Sequence, residues 1–418
     1  MQDDEDRFQL TLKTFPEECT LFSGSVELSP VREYQIPEGT PCGNFKEYSL
    51  PGEYGVLTIT APGYRPKVIR LDSVSSDYRD ANAMSLEVKL EPFGTGLRFL
   101  SLAETGEQPK SVEFLPYPAG PFGDLLAVAL LRGQGVEFFN SHTGELVKKV
   151  NIPEPYGSQL GFVESVYLPE RKELWVSQMD SQKIHIINVE TLSYIASVPS
   201  GGIWTKVLTA SPEGDRVYAS NWLSENLGVI DPESRELEMK IPLSGIPRGS
   251  AFTPDGQYLY VCIYETGNIE KIEASTGLSL KVIETGPGAA RHIVYNDLDN
   301  LFYISDMWHG SIYTLNPVTD RVVNRMRVAP NLNTIKLSKD GKYLFVSSRG
   351  RNNPETYLIK GAEFGSVSVI DTQSFKIIDR VYGGNQPTGL ALSEDNRTLI
   401  FSDFLDRRLE FYNIDSFY

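Results

Sequence analysis

Seven positions along the chain carry residue types that can do chemistry together. Six residues ahead of recurring turns at Pro116, Pro169, Pro212, Pro254, Asp297, Lys339 and Glu394 stand Lys110, Val163, Lys206, Arg248, Arg291, Asn333 and Thr388, four of them cationic. The chain as a whole is acidic, with 39 Lys and Arg against 55 Asp and Glu, a net charge of −16. On such a background a ring of like positive charges repels itself and is costly unless something anionic shares it. Two sources of that anion are open: an external ligand, or carboxylates of the adjoining loops, for which Glu164, Glu265, Asp306 and Asp403 are available. A second set is Trp222, Tyr264, Met307, Trp308, Arg349, Arg351, Phe404 and Arg407, with Trp204 beside Lys206. Aromatics and arginines in loops are what binding hot spots are made of; the alternative is that they plug a channel mouth or pack neighbouring units. Trp175, inside a strand, reads as core. A third set, His292, Asp306 and His309, can bind a metal or act as acid and base if the fold brings them together. His142, in an outer turn, and His185, in a strand, are poorly placed for that. No glycine-rich phosphate loop, nucleophile elbow or cysteine-histidine pair is present.

These positions can meet only if the elements carrying them repeat around an axis, and the chain does repeat. Residues 208–231, LTASPEGDRVYASNWLSENLGVID, read as an apolar strand, a turn at Pro212, a second strand, a polar loop and a third strand. Six other stretches copy it. Their turns fall 42 or 43 residues apart through the middle of the run, from 169 to 212, 254, 297 and 339. Second strands read LLAVAL, LWVSQ, VYASN, LYVCI, FYISD, LFVSS and LIFSD, and no copy contains a helix. Copies of short strands that cannot bury both faces alone must stack, so the expected fold is all-β, a seven-bladed propeller. The last unit stops after its third strand. LRFLSLA, residues 97–103, is expected to supply the missing one and so remove an exposed edge. The sixth unit carries a long insertion, SRGRNNPETYLIKGAEFG, residues 348–365, expected to be either a lid or a disordered excursion.

Residues 1–92 read separately, as a small β-sandwich with strands FQLTLKTF, CTLFSGSVEL, GVLTITA and SLEVKLE and turns at Pro51-Gly52 and Pro62-Gly63. Pro51, Gly52, Tyr54, Gly63 and Tyr64 within residues 49–72 resemble the PEGA and carboxypeptidase-regulatory class of sandwich, with IPEGTP where that family has its name-giving tetrapeptide. The resemblance implies a spacer or cell-envelope attachment module. The repeats of residues 93–418 resemble the seven-bladed YVTN propeller family. The matches are Pro247, Pro254-Asp255-Gly256 and Leu259-Tyr260-Val261, with Gly228-Val229-Ile230-Asp231 and Ser366-Val367-Ser368-Val369-Ile370-Asp371 in other units. That fold carries binding scaffolds, lactonases and lyases, so function lies in the loops.

Composition narrows the rest. Net charge disfavours nucleic acid and anionic lipid as nonspecific partners. No run of eighteen apolar residues exists, as a transmembrane helix would need. Met1 and Gln2 followed by Asp3, Asp4, Glu5 and Asp6 are not a secretory signal, so the chain is either cytoplasmic or a mature form. Three cysteines, at 19, 42 and 262, exclude a disulfide scaffold. Cys19 and Cys42 either pair in an oxidising compartment or are two thiols. Together with the family resemblances, that pair leans the expected location to the periplasm or cell surface, with the cytoplasm left open. The resulting expectation is a non-catalytic binding or scaffold protein of the cell envelope, without cofactor or metal, that recognises a protein partner or an anionic small molecule on its loop face. The alternatives are a lactonase-like hydrolase or lyase using His292, Asp306 and His309, and a purely structural envelope protein.

Overall fold

The computed structural model describes residues 7–16, 19–23, 26–34, 45–51, 56–71, 79–80, 83–361 and 363–418. The acidic lead-in at Asp3 to Asp6, the motif residues Gly52 and Tyr54, and Cys42 with its pairing to Cys19 lie outside them. Regular structure is almost wholly β, with short 3-10 turns at Pro169–Arg171 and Asp415–Phe417. No helix of the described residues is long and apolar enough to cross a membrane.

The first unit has two sheets. Arg7–Phe15 pairs antiparallel with Phe45–Pro51 and parallel with Ala83–Lys89. Thr20–Ser23, Val26–Leu28, Val56–Thr60 and Lys67–Arg70 make the other sheet. CTLFSGSVEL, expected as one strand, is therefore two that pair with each other; the Gly-Ser pair at 24–25 interrupts its apolar alternation. Leu10, Leu12, Tyr48 and Leu50 of the first sheet and Leu21, Leu57 and Ile59 of the second share one core, because alternate residues of each strand face inward.

From residue 98 the strands form seven four-stranded antiparallel sheets in succession, numbered one to seven here. Six span residues 109–150, 162–199, 205–242, 247–283, 290–327 and 332–382, and the seventh combines 387–413 with Arg98–Glu104. Each neighbouring pair shares an apolar cluster. Leu115 and Leu125 of sheet one meet Leu174 and Val176 of sheet two, and around the circle Ala391 and Ile400 of sheet seven meet Leu126 and Val128 of sheet one. The arrangement is propeller-like, and its first strands face a common axis. Gly389 marks how closely they approach: a Cβ there would stand 2.7 Å from the Val112 amide nitrogen of sheet one.

Arg98–Glu104 pairs antiparallel with the last strand, Arg408–Asn413, so the two ends of this region lie in one sheet. What holds the incoming segment is Asp379, a buried carboxylate on the last strand of sheet six. It accepts hydrogen bonds from the backbone amides of Thr95 (3.0 Å), Gly96 (2.7 Å) and Leu97 (2.9 Å). The Gly96 and Leu97 amides are buried, and leaving buried amides without an acceptor is expensive. Asp379→Ala is expected to destabilise the chain by about 3 kcal/mol, with Asp379→Asn retaining part of that. Chemical denaturation measures both, and an unchanged midpoint for the alanine variant would count against this role.

Candidate functional site

The first strand of every sheet breaks register against the second, and the break falls at the same place each time. The shifts lie between Pro109 and Ser111, Phe162 and Ser165, Thr205 and Leu208, Pro247 and Ser250, Ala290 and His292, Leu332 and Ile335, and Pro387 and Leu390. Lys110, Val163, Lys206, Arg248, Arg291, Asn333 and Thr388 all sit inside these shifts. A bulge frees one residue from the ladder and re-aims its side chain. Serines of the second strands staple the bulges across to the next sheet. The Ser177 hydroxyl donates to the Lys206 carbonyl (2.7 Å), Ser305 to Asn333 (3.0 Å) and Ser347 to Thr388 (2.8 Å). This is the physical work of the serine in LWVSQ, FYISD and LFVSS.

A second ring lies on the same face. The residues that directly follow the second strands are Leu131, Met179, Trp222, Tyr264, Met307, Arg349 and Phe404. Each donates its amide to a carbonyl just ahead of, or at the start of, the first strand, as Trp222 does to Trp204 (3.1 Å) and Phe404 to Gln386 (3.1 Å). Together the rings enclose a cavity of about 400 Å³, lined by all seven of these residues and by Lys110, Val163, Lys206, Arg248, Arg291, Trp204, Asn352 and Tyr357. Five lining side chains are cationic, and among the described residues no carboxylate lines the cavity.

The cations lean on π faces and sulfur instead. Lys110 stands 5.4 Å from the Phe404 ring centre. Lys206 lies between Trp204 (4.9 Å) and Trp222 (5.3 Å), with Met179 Sδ at 2.9 Å. Arg349 faces Tyr357 and Phe404, both at 5.5 Å. Arg291 donates through Nε to Asn333 Oδ1 at 2.7 Å. Arg248, 4 % exposed, faces the Trp222 ring at 5.8 Å and Glu164 at 3.7 Å, and its Nε and Nη1 have no hydrogen-bond acceptor among the described residues; neither does Nε of Arg349. Buried guanidinium donors without acceptors carry a full desolvation penalty. Burial, followed by the charges of Arg349, Arg291 and Arg248, holds Lys110 well below its ordinary pKa. Burial, then Arg248 and Arg291, brings Lys206 down to about 7.

Of the four carboxylates available to neutralise the ring, only Glu164 does so. Glu265 accepts from the Ile246 amide at 2.9 Å, and Asp403 from the Gly384 amide (2.9 Å) and Arg408 (2.8 Å). Asp306 holds the Ala289 amide (3.0 Å) and His309 Nδ1 (2.7 Å). These carboxylates satisfy loop amides and neighbouring side chains, and so are already spent.

Nine of the twelve side chains expected to bind line the cavity: Lys110, Lys206, Arg248, Arg291, Trp204, Trp222, Tyr264, Arg349 and Phe404. Three do not. Trp308 is 70 % exposed and stacks on His309; Arg351 points outward to Glu363; Arg407, in a left-handed turn at φ +54°, pairs with Glu107. Each lies two or more residues beyond a second strand, where the loop has already left the cavity wall. Leu131 and Met179 were legible from the repeat alignment, as the equivalents of Trp222 and Tyr264, but their apolar character hid them. Asn352 and Tyr357 carry no such signal.

Those two belong to the insertion in sheet six, which is tied down at several points. Gln386 Nε2 donates to the Tyr357 carbonyl (2.6 Å) and the Gly361 amide to Asn385 Oδ1 (2.9 Å). Lys360 bridges Asp406 (3.0 Å) and Glu27 of the first unit, while Phe364 meets Phe22 edge to face at 5.0 Å.

His292, Asp306 and His309 are not gathered into one cluster. His292 lines a separate inner chamber of about 270 Å³ with Glu113, Glu164 and Lys336, and its Nδ1 accepts from the Ile335 amide at 3.4 Å. Burial, then Lys336, Arg291 and Arg248, pushes its pKa down to about 3. Among the described residues no group of three or more His, Cys, Asp or Glu stands where it could hold one metal ion. His185 is buried between Gln178 Oε1 (2.8 Å) and Ser197 Oγ (2.7 Å), and burial lowers its pKa to about 4.

Fold and site together define an all-β, propeller-like protein with a cationic, aromatic-walled cavity where its loops converge. The chain is 38% identical over 371 residues to antigen Lp49 of Leptospira interrogans serogroup Icterohaemorrhagiae serovar copenhageni (strain Fiocruz L1-130), covering 86% of this chain and 78% of that protein, and it belongs to the same family. It is 27% identical over 183 residues to the uncharacterized protein YwhL of Bacillus subtilis (strain 168), covering 43% of this chain and 39% of that one. Among solved structures, a chain of Kuenenia stuttgartiensis hydrazine synthase superposes with a TM-score of 0.63 over 75% of this chain and 98% of its own, at 16% identity, a likeness of fold alone. No family model matches the chain.

Proposed function

We propose that this protein is a non-catalytic binding protein of the cell envelope that holds an anionic ligand in the cavity between the two rings. In this reading residues 93–418 are a seven-bladed YVTN-type propeller closed by residues 97–103, and residues 1–92 are a PEGA-like sandwich that braces its long loop. The observation that carries it is the set of five lining cations with no lining carboxylate. An anion supplies acceptors to Arg248 and Arg349 and relieves the mutual repulsion of the ring, so the site is more stable filled than empty. The word antigen in the name of the Leptospira relative supports exposure at the cell surface.

Sulfate tests the reading, because its charge is constant over the useful pH range. Calorimetric titration is expected to show one site per chain. The affinity is also expected to depend on pH in a determined direction. Burial, then Arg248 and Arg291, lowers the Lys206 pKa to about 7, and a bound anion raises it. The contribution of its charge is therefore fully present below pH 7 and is lost as pH rises through the higher value of the complex. Sulfate should bind about tenfold more weakly at pH 8.5 than at pH 6.0, with proton uptake on binding at pH 7.5. Absence of sulfate binding, or affinity that rises with pH, would sink the proposal.

A further inference from the structure

The cavity is smaller than the feature it belongs to. Around its mouth, Ile203, Leu223 and Trp308 are 44 %, 55 % and 70 % exposed, and Trp204, which also lines the cavity, is 40 % exposed. They share one face because they are chained to lining residues: the Leu223 amide donates to the Ile203 carbonyl (3.1 Å), directly beside the Trp222 to Trp204 bond, and Trp308 follows Met307. An inorganic anion inside would touch none of the outer three. Exposed apolar side chains rimming a charged pocket mark a surface that something larger covers.

Charge decides what that is. The chain carries a net charge of −16, and the rim loops themselves expose Glu225 and Glu265. A flat polyanion would meet these carboxylates before its charge reached the cavity. A single acidic side chain on an apolar segment avoids them: the carboxylate enters the cavity and the flanking residues lie on Ile203, Leu223 and Trp308. The acidic surroundings repel the same segment everywhere else on the molecule, which adds specificity. Resting on the anion-binding reading above, we infer that the natural occupant is an acidic side chain, Asp or Glu, of a polypeptide partner whose neighbouring aromatic or aliphatic residues seat on this rim.

The experiment uses the full chain and has separate arms for cavity and rim. A displayed random heptapeptide library is selected on the wild-type protein, and the best binder is synthesised. Titrations compare that peptide, its carboxylate-to-amide analogue, sulfate, and vesicles of phosphatidylglycerol, on wild type and on the double variant Ile203→Ser, Leu223→Ser, which leaves every cavity-lining residue intact. Selected peptides should carry Asp or Glu flanked by apolar residues. The amide analogue should bind at least about thirtyfold more weakly, and the rim variant should lose at least about tenfold for the peptide while its sulfate affinity is unchanged. No enrichment, enrichment of non-acidic peptides, a rim variant that binds the peptide as wild type does, or rim-dependent capture of the vesicles overturns the inference and leaves the anion site standing. Failure of wild type to bind sulfate overturns the anion reading and this inference together.

Discussion

Replacing Arg291 by glutamate is expected to abolish anion binding while the melting temperature holds or rises. A reversed charge inside a protein ordinarily destabilises it, because a buried carboxylate needs a partner. Here the partners are waiting. Arg248 and Arg349 have donors without acceptors, and Asn333 Nδ2, also unpartnered, gains an acceptor by turning its amide once Arg291 no longer holds Asn333 Oδ1. The new carboxylate would stand in for the ligand and relieve repulsion among the remaining cations. Removing one close charge from a desolvated set costs several kcal/mol and reversing it costs more, so sulfate affinity should fall by more than about 100-fold, roughly 2.7 kcal/mol. Differential scanning calorimetry with sulfate titration reads both halves. If stability falls sharply and binding survives, the cations are structural and the cavity is not an anion site.

Removing residues 97–103 is expected to cost the fold outright. Arg98–Glu104 is the partner of Arg408–Asn413, and without it that strand presents an unpaired ladder beside sheet one. Leu97 and Ala103 are buried in the clusters that join sheet seven to sheets six and one, so the apolar contacts of the closure go as well. Some six backbone pairings at about 1 kcal/mol each, with the burial of two side chains, approach the whole stability of a typical domain. The expected outcome is a melting temperature lowered by more than about 10 °C and association through the exposed edge, seen by calorimetry and size-exclusion chromatography. A monomer that melts with the wild type would show that the closing strand is dispensable.

Much of this candidate site is legible in the sequence alone. Aligning the repeats placed Lys110, Lys206, Arg248 and Arg291 at one level because strand and turn lengths are nearly constant, and constant lengths transmit sequence position into height along an axis. The same arithmetic puts Leu131 and Met179 at the level of Trp222 and Tyr264, though their residue types carry no sign of a binding site. It does not place Trp308, Arg351 and Arg407, which stand outside the cavity, because there the loops leave the repeat and the direction of a side chain depends on turn geometry rather than on count.

The sequence by itself determined the β architecture, the repeat period and the common level at which the cations stand. All of these follow from alternation and spacing, which are local and repeat. Only the tertiary structure decided that, of the four available carboxylates, Glu164 alone reaches the ring. Glu265 and Asp306 are nearer in sequence to the ring cations than Glu164 is, yet their oxygens, like those of Asp403, are drawn to loop amides and neighbouring side chains. Those three are captured by amides of their own repeats, whereas Glu164 reaches Arg248 from sheet two to sheet four, and a distance of a few ångströms between separate sheets is not written in any one repeat.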